Sequence, residues 1–307
     1  MRQFLYCDKG YRPIKTWQDD CWVDMELPDE ADINFLVDEL GVPLTFIEDL
    51  RDIDERPRVD QESGWILTIL RIPMPEEEDV MPYTTVPLGV MTNGQTVVTV
   101  CFFKTGLPQD FIGYSCRKQL TVTRRTDFIL HILFNATFWF LSYLKQMNEE
   151  VTGAERAIER SVQNRNLIDL MHLQKSLVLF NTSLRGNQVL LGRLYRVFGN
   201  DFDHDLYEDL EIEMKQADNT VTVYSDILEG TMGALGSIIS NNVNQIMKRM
   251  TGITIILMVP TLVASFYGMN VGGLTLADLP FSFYIVIFIA ALLTVATYLW
   301  LRHIKWF

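Results

Sequence analysis

The pattern of apolar and polar positions divides the chain into three regimes. Near the C-terminal end, two apolar runs cover residues 251–267 and 281–301, and the only charge between Thr251 and Leu301 is Asp278. At about 1.5 Å per residue these runs reach roughly 25 and 32 Å as helices, matching a bilayer core of about 30 Å. Before them, from about Asp205, an alternation of about 3.5 residues runs through Leu210, Met214, Ala217, Val221, Tyr224, Leu228, Leu235 and Ile238. No proline interrupts it before Pro260, so it predicts one helix continuing into the first apolar run. Two further long helices are predicted over 126–163 and 166–198. The second carries Leu170, Leu173, Leu177, Leu184 and Leu191 on one face and stops at Gly199-Asn200.

Residues 1–124 read as mixed α/β. The stretch 65–72 is rich in β-formers, and two apolar runs around Thr92-Asn93-Gly94-Gln95 predict a hairpin with a two-residue turn. Residues 32–52 read as short helices broken at Gly41-Val42-Pro43. The expected fold is therefore an α/β N-terminal domain, a long stalk helix and two C-terminal transmembrane helices. By residue, these are an α/β domain over 1–124, a long-helix pair over 125–204, a stalk over 205–250 and a first span with its ending over 251–270. An external loop over 271–280, a second span over 281–301 and a basic tail over 302–307 complete the chain.

Charge sharpens this division. The net charge is −13, but residues 245–307 hold four basic groups and one acidic group, leaving −16 on residues 1–244. So acidic a chain lacks the basic face that nucleic acid demands. Lys248 and Arg249 precede the first span, Arg302 and Lys305 follow the second, and the loop between carries no Lys or Arg. By the positive-inside rule both ends are expected on the cytoplasmic side of a plasma (inner) membrane. Phe266, Tyr267, Phe281, Phe283 and Tyr284 would anchor the outer side, and Tyr298, Trp300 and Trp306 the inner. The N-terminal stretch has no apolar core of signal-peptide length, so the acidic part is expected in the cytoplasm. The four cysteines form no CxxC pair and read as free thiols. No phosphate-binding GxxxxGK[ST] and no nucleophile–base cluster occur, which argues against nucleotide use and against an enzyme.

The first span is not a plain anchor. Asn244, Thr251, Met258 and Ser265 recur every seven residues, and Met247, Thr254, Thr261 and Gly268 do so with an offset of three. Such a stripe of small, polar and thioether residues has two readings. It packs helix on helix, or it lines a pore whose neutral oxygens meet a hydrated ion. Ile253, Ile256, Leu257 and Val263 occupy the other side and suit lipid or neighbouring helices.

The first span ends in Gly268-Met269-Asn270, is preceded by Asn244-Gln245-Ile246-Met247-Lys248-Arg249-Met250-Thr251, and is followed by a second span and a basic tail. In this context, and with Arg56-Pro57-Arg58 following an acidic segment, the whole chain resembles the CorA family of divalent-cation channels. The resemblance implies a homopentamer in the lipid bilayer that passes hydrated divalent cations passively, chiefly Mg²⁺ and also Co²⁺ or Ni²⁺. It implies no required cofactor, Mg²⁺ being both cargo and regulator. Gly268, Met269 and Asn270 would form the outer selectivity ring. Asn244, Met247, Thr251, Thr254, Met258, Thr261 and Ser265 would line the pore. Cytoplasmic Mg²⁺ bound at subunit interfaces would hold the pore closed, with Asp209 on the stalk and a partner from Glu76, Glu77, Glu78 and Asp79. The alternative for that acidic run is a solvated loop. Many relatives carry acidic residues in the external loop, whereas this loop has only Asp278. Two other functions remain open: proton-coupled Zn²⁺ transport, as in the ZntB branch, and a tethered, non-conducting sensor or scaffold.

Overall fold

The computed structural model describes residues 2–76, 81–122, 124–160, 164–269, 281–304 and 306. The chain divides into two compact units, Met1–Gly230 and Thr231–Phe307.

The first unit is built on a seven-stranded sheet of order β2-β1-β3-β7-β6-β5-β4. Its strands are β1 Arg2–Cys7, β2 Tyr11–Ile14, β3 Trp22–Glu26, β4 Arg58–Glu62, β5 Trp65–Pro75, β6 Tyr83–Thr92 and β7 Val97–Cys101. All neighbours are antiparallel except β3 and β7, which run parallel with Trp22 opposite Val97. Alternation along each strand feeds two separate cores. On one face Trp22, Leu70, Ile72, Val86, Leu88 and Val97 meet Phe111, Phe128, Leu190 and Leu210. These come from α3 Leu107–Lys118, α4 Arg125–Arg160, α5 Asn164–Phe198 and the start of α6 His204–Tyr267. On the other face Val23, Met25, Leu67, Ile69, Val98 and Val100 meet Leu36, Phe46, Ile47 and Leu50. There the cover is α1 Glu30–Asn34, a wide turn over Phe35–Glu39, and α2 Leu44–Asp49. The predicted break at Gly41-Val42-Pro43 separates the last two.

One sequence expectation is corrected. The turn between β6 and β7 holds four residues, because the last pair in register is Thr92 with Val97. Asn93 explains the extra length: its side-chain oxygen accepts from the N–H groups of Gln95 and Thr96, at 3.0 and 2.9 Å. Gly94 supplies the left-handed φ of 90°.

Two arginines organise the edge of the sheet. Arg58 reaches Asp49, Glu55 and Asp60 together. Beside it, the Pro57 ring lies where a β-carbon on Gly186 would come within 2.9 Å, so α5 needs a glycine there. Arg71 is buried in β5, and its guanidinium donates to the carbonyls of Ile53, Glu55 and Thr85. Asn187 of α5 pairs with both backbone groups of Arg71, at 2.9 and 2.8 Å. A cation sunk in a buried, mostly apolar strand thus ties α5 and the 53–55 turn to the sheet.

Asp24 is a buried acid on β3, 3% exposed. The Trp22 indole donates to Thr99 Oγ1 at 2.8 Å, and that hydroxyl donates to Asp24 Oδ1 at 2.6 Å. Burial pushes the Asp24 carboxyl up to about 6 from an ordinary 3.8; the Thr99 bond opposes the shift and neighbouring Glu26 adds to it. Because the folded state holds its proton more tightly than the unfolded chain, this acid favours folding at low pH. That contribution is lost as pH rises from about 4 through 6. Asp24→Asn should therefore match the wild type near pH 4 and exceed it at pH 8 by on the order of 3 kcal/mol. Paired denaturation curves at the two pH values check this. Gly89 of β6 makes a second prediction. A methyl there would clash with the fully buried Leu50 side chain, so Gly89→Ala should cost about 1–3 kcal/mol by overpacking, read from the same curves.

Candidate functional site

Among the described residues, three helices are long and apolar enough to cross a membrane: Arg125–Arg156, His204–Tyr267 and Ser282–His303. The first is 56% buried over its apolar window and spends its apolar face in the core of the first unit, whereas the windows of the other two are only 6% buried. Candidate chemistry therefore concentrates in the second unit, on the distal part of α6 and on α7 Ser282–His303.

The two helices set the faces of α6. Gly252, Ile255, Ile256, Val259, Pro260, Val263 and Tyr267 are buried or half-buried and recur every three to four residues. Pro260 and Ala264 of this face share a groove of ≈ 500 Å³ with Ile287, Ala290, Ala291, Thr294 and Val295 of α7. Small residues on both sides let the backbones approach. Ile256 and Val263 belong to this packed face, whereas Ile253 and Leu257 are 49% and 63% exposed and lie outside it.

The polar stripe lies on the far side. At about 100° per residue, Thr254, Met258, Thr261 and Ser265 fall roughly opposite the face that meets α7. All of them are exposed, as are Asn244, Met247 and Thr251. Packing between the two spans therefore does not account for the stripe. Its hydroxyls are also oriented. Thr254 donates to the Met250 carbonyl at 3.0 Å and Thr261 to the Leu257 carbonyl at 2.9 Å. With each proton spent on the backbone, the free lone pairs face outward as neutral acceptors. The waters around a divalent cation donate hydrogen bonds, so this surface matches a hydrated ion better than a bare one.

At its C-terminal end, α6 stops at Tyr267. The Gly268 N–H still donates to the Ala264 carbonyl at 2.8 Å, and a β-carbon there would press that oxygen at 3.2 Å. Met269 is 52% exposed. Asn270 lies outside the described residues. Midway along the span, Pro260 has no N–H, so the Ile256 carbonyl loses its usual helical donor.

A match to one family over residues 17–303 is decisive: the CorA-like Mg²⁺ transporter protein family. The chain belongs to the CorA family. It is a divalent-cation transporter of that family, as the match spans nearly the whole chain. The cobalt/magnesium transport protein CorA of Methanocaldococcus jannaschii is 28% identical over 272 residues, 86% of this chain and 84% of its own. The complete structure of the CorA magnesium transporter from the same organism aligns with a TM-score of 0.85 at 23% identity, covering 100% of this chain and 99% of that one. The ZntB cytoplasmic domain from Vibrio parahaemolyticus aligns with a TM-score of 0.59 at 13% identity, covering 79% and 97%. These two structural likenesses are of fold.

Of the acidic residues expected to hold a regulatory ion, only Asp209 and Glu76 are among the described residues, and both are exposed; Glu77, Glu78 and Asp79 lie outside them. Among the described residues, no group of three or more His, Cys, Asp or Glu side chains is placed to hold a metal ion. Gly230, Gly233 and Gly236 face open space, with nothing within 4 Å of a β-carbon at any of them. Sequence reading placed Trp306 only as an interfacial anchor. In the structure its indole N–H donates to the Lys248 carbonyl at 2.9 Å, joining the tail to α6. The available signal was spacing: two antiparallel spans in the groove's register bring residue 306 beside residue 248.

Proposed function

We propose that the chain is a channel for passive, gated uptake of hydrated divalent cations, Mg²⁺ first and Co²⁺ or Ni²⁺ alongside it. The observation that carries this reading is the exposed stripe on α6, turned away from α7, with the hydroxyl protons of Thr254 and Thr261 already used. The names of the curated relatives, cobalt/magnesium transport proteins, agree with the ion class. In this reading Asn244, Met247, Thr251, Thr254, Met258, Thr261 and Ser265 line the path, and Gly268, Met269 and Asn270 form its outer ring.

The physics of passage is consistent. Mg²⁺ gives up its waters reluctantly, so neutral acceptors hold it through its hydration shell without trapping it. A divalent ion moving inward gains about 4.6 kcal/mol at 100 mV, so membrane voltage suffices as the driving force. A single α6 presents one stripe, and closing a pore requires several copies; we take the assembly to be a homopentamer in the plasma membrane, with both ends cytoplasmic. Closure by internal divalent ions would place Asp209 against an acidic partner from 76–79 of a neighbouring copy. Bridging ions hold such carboxylates together, and their loss lets like charges repel.

Flux into proteoliposomes tests this. Voltage-driven Mg²⁺ influx should appear in the wild type and fall at least tenfold in Asn270→Ala. Zn²⁺ influx that requires a proton gradient would instead assign the chain to zinc transport, and no flux from inserted protein would leave a tethered sensor. A thiol scan tests the lining separately. With the four native cysteines replaced, Thr254→Cys, Thr261→Cys and Ser265→Cys should react with a charged, water-borne thiol reagent at least tenfold faster than Ile256→Cys and Val263→Cys. Equal rates on the two faces would remove the stripe from the ion path.

A further inference from the structure

The second unit holds a contact that neither the stripe nor the outer ring explains. Trp306 lies beyond the end of α7, yet it is fastened twice. Its backbone N–H donates to the Leu301 carbonyl at 3.0 Å, turning the tail back onto its own helix. Its indole N–H donates to the Lys248 carbonyl of α6 at 2.9 Å. A carbonyl oxygen has two lone pairs, so Lys248 accepts the indole in addition to its helical partner.

Three observations make this a built feature. First, it continues the packing register. The groove sets Pro260 and Ala264 against Ala290, Ala291 and Thr294. Antiparallel helices advance at equal rise, so the same register brings Gly252 beside Leu301 and Lys248 beside Trp306. Second, the packing beneath the bond is tight: Leu301 is 1% exposed and Gly252 is buried, while the other residues of α7 are half-buried or exposed. Third, the chemistry suits the place. The last charges before the apolar run are Lys248 and Arg249, and an indole with an apolar ring and one N–H is stable where water meets lipid.

Lys248 follows Met247 directly and lies one helical turn before Gly252 and next to the turn that carries Thr251. We infer that Trp306 is a positioning residue for transport: its indole latches the cytoplasmic end of α7 onto α6 and fixes Met247 and Thr251 at the inner mouth of the ion path. This rests on the reading of the stripe as that path. The latch itself touches no ion. It acts by denying the inner end of α6 an independent movement against α7, so closure by internal cations is transmitted to both helices together.

Two variants separate the hydrogen bond from the ring. Trp306→Phe keeps an aromatic anchor without a donor, and Trp306→His restores a ring N–H. Brief trypsin treatment of the detergent-solubilised full-length protein, followed by intact-mass measurement, reads release of the tail through cleavage after Arg302 or Lys305. The Phe variant should be trimmed at least threefold faster than wild type, and the His variant within twofold of it. In proteoliposomes, the internal Mg²⁺ concentration that halves influx should rise at least threefold in the Phe variant and return toward wild type in the His variant. Unchanged trimming in the Phe variant overturns the latch. Faster trimming with an unchanged closing concentration overturns its role in positioning. A wild type that conducts no divalent ion sinks the transport reading and this role with it, an outcome distinct from a conducting wild type matched by Trp306→Phe.

Discussion

A peptide group without a hydrogen-bond partner costs several kcal/mol in hydrocarbon, and the second unit is arranged around that cost. α6 meets it by staying helical from His204 to Tyr267. Thr254 and Thr261 meet it by turning their hydroxyl protons onto carbonyls of their own helix. On α7, Thr294 and Thr297 do the same, at 2.7 and 2.9 Å. Self-satisfaction leaves, at Thr254 and Thr261, neutral oxygen acceptors whose own protons are already bonded. A carboxylate in their place would bind a divalent ion firmly and release it slowly. The absence of charge between Thr251 and Tyr267 also suits a helix that faces lipid.

The first unit solves a different problem, that of an acidic chain with a buried sheet. Its surplus of negative charge is handled locally. Arg58 gathers three carboxylates, and Arg71 enters the interior but spends its donors on backbone carbonyls, so it needs no buried carboxylate partner. Burial lowers the proton affinity of Arg71, while nearby Asp54, Asp52 and Glu55 act to raise it. The 49–60 segment, otherwise a loop with four aspartates, becomes a fixed rim on the sheet.

Much of this was legible in the chain because long, periodic segments announce themselves. The two apolar runs, the two helices now seen over Arg125–Arg160 and Asn164–Phe198, and the uninterrupted α6 each repeat their signal over many turns. The fold class followed from these, and the Gly268-Met269-Asn270 ending in its setting pointed to the family. What escaped depends on partners distant in sequence. Nothing near Trp22 indicates that β3 pairs with Val97 in parallel, so the three N-terminal strands went unread. Arg71 interrupts an apolar run, and only the fold shows the carbonyls that receive it. The β6–β7 turn was read two residues short because Asn93 caps two N–H groups at once. Asp209 and Glu76 are a different case: both are exposed on one chain, and the expectation for them concerns an interface between chains.

Pro260 carries a mechanical consequence. The resistance of a helix to bending comes from its i to i−4 rungs, and the span has one removed near its midpoint. Compliance is therefore concentrated at a single level. Flexing there swings Thr261, Ser265 and Gly268 as a block while Met247, Thr251 and Thr254 keep their bearing. The two ends of one continuous helix are mechanically decoupled, so a bend at Pro260 moves one end without carrying the other with it.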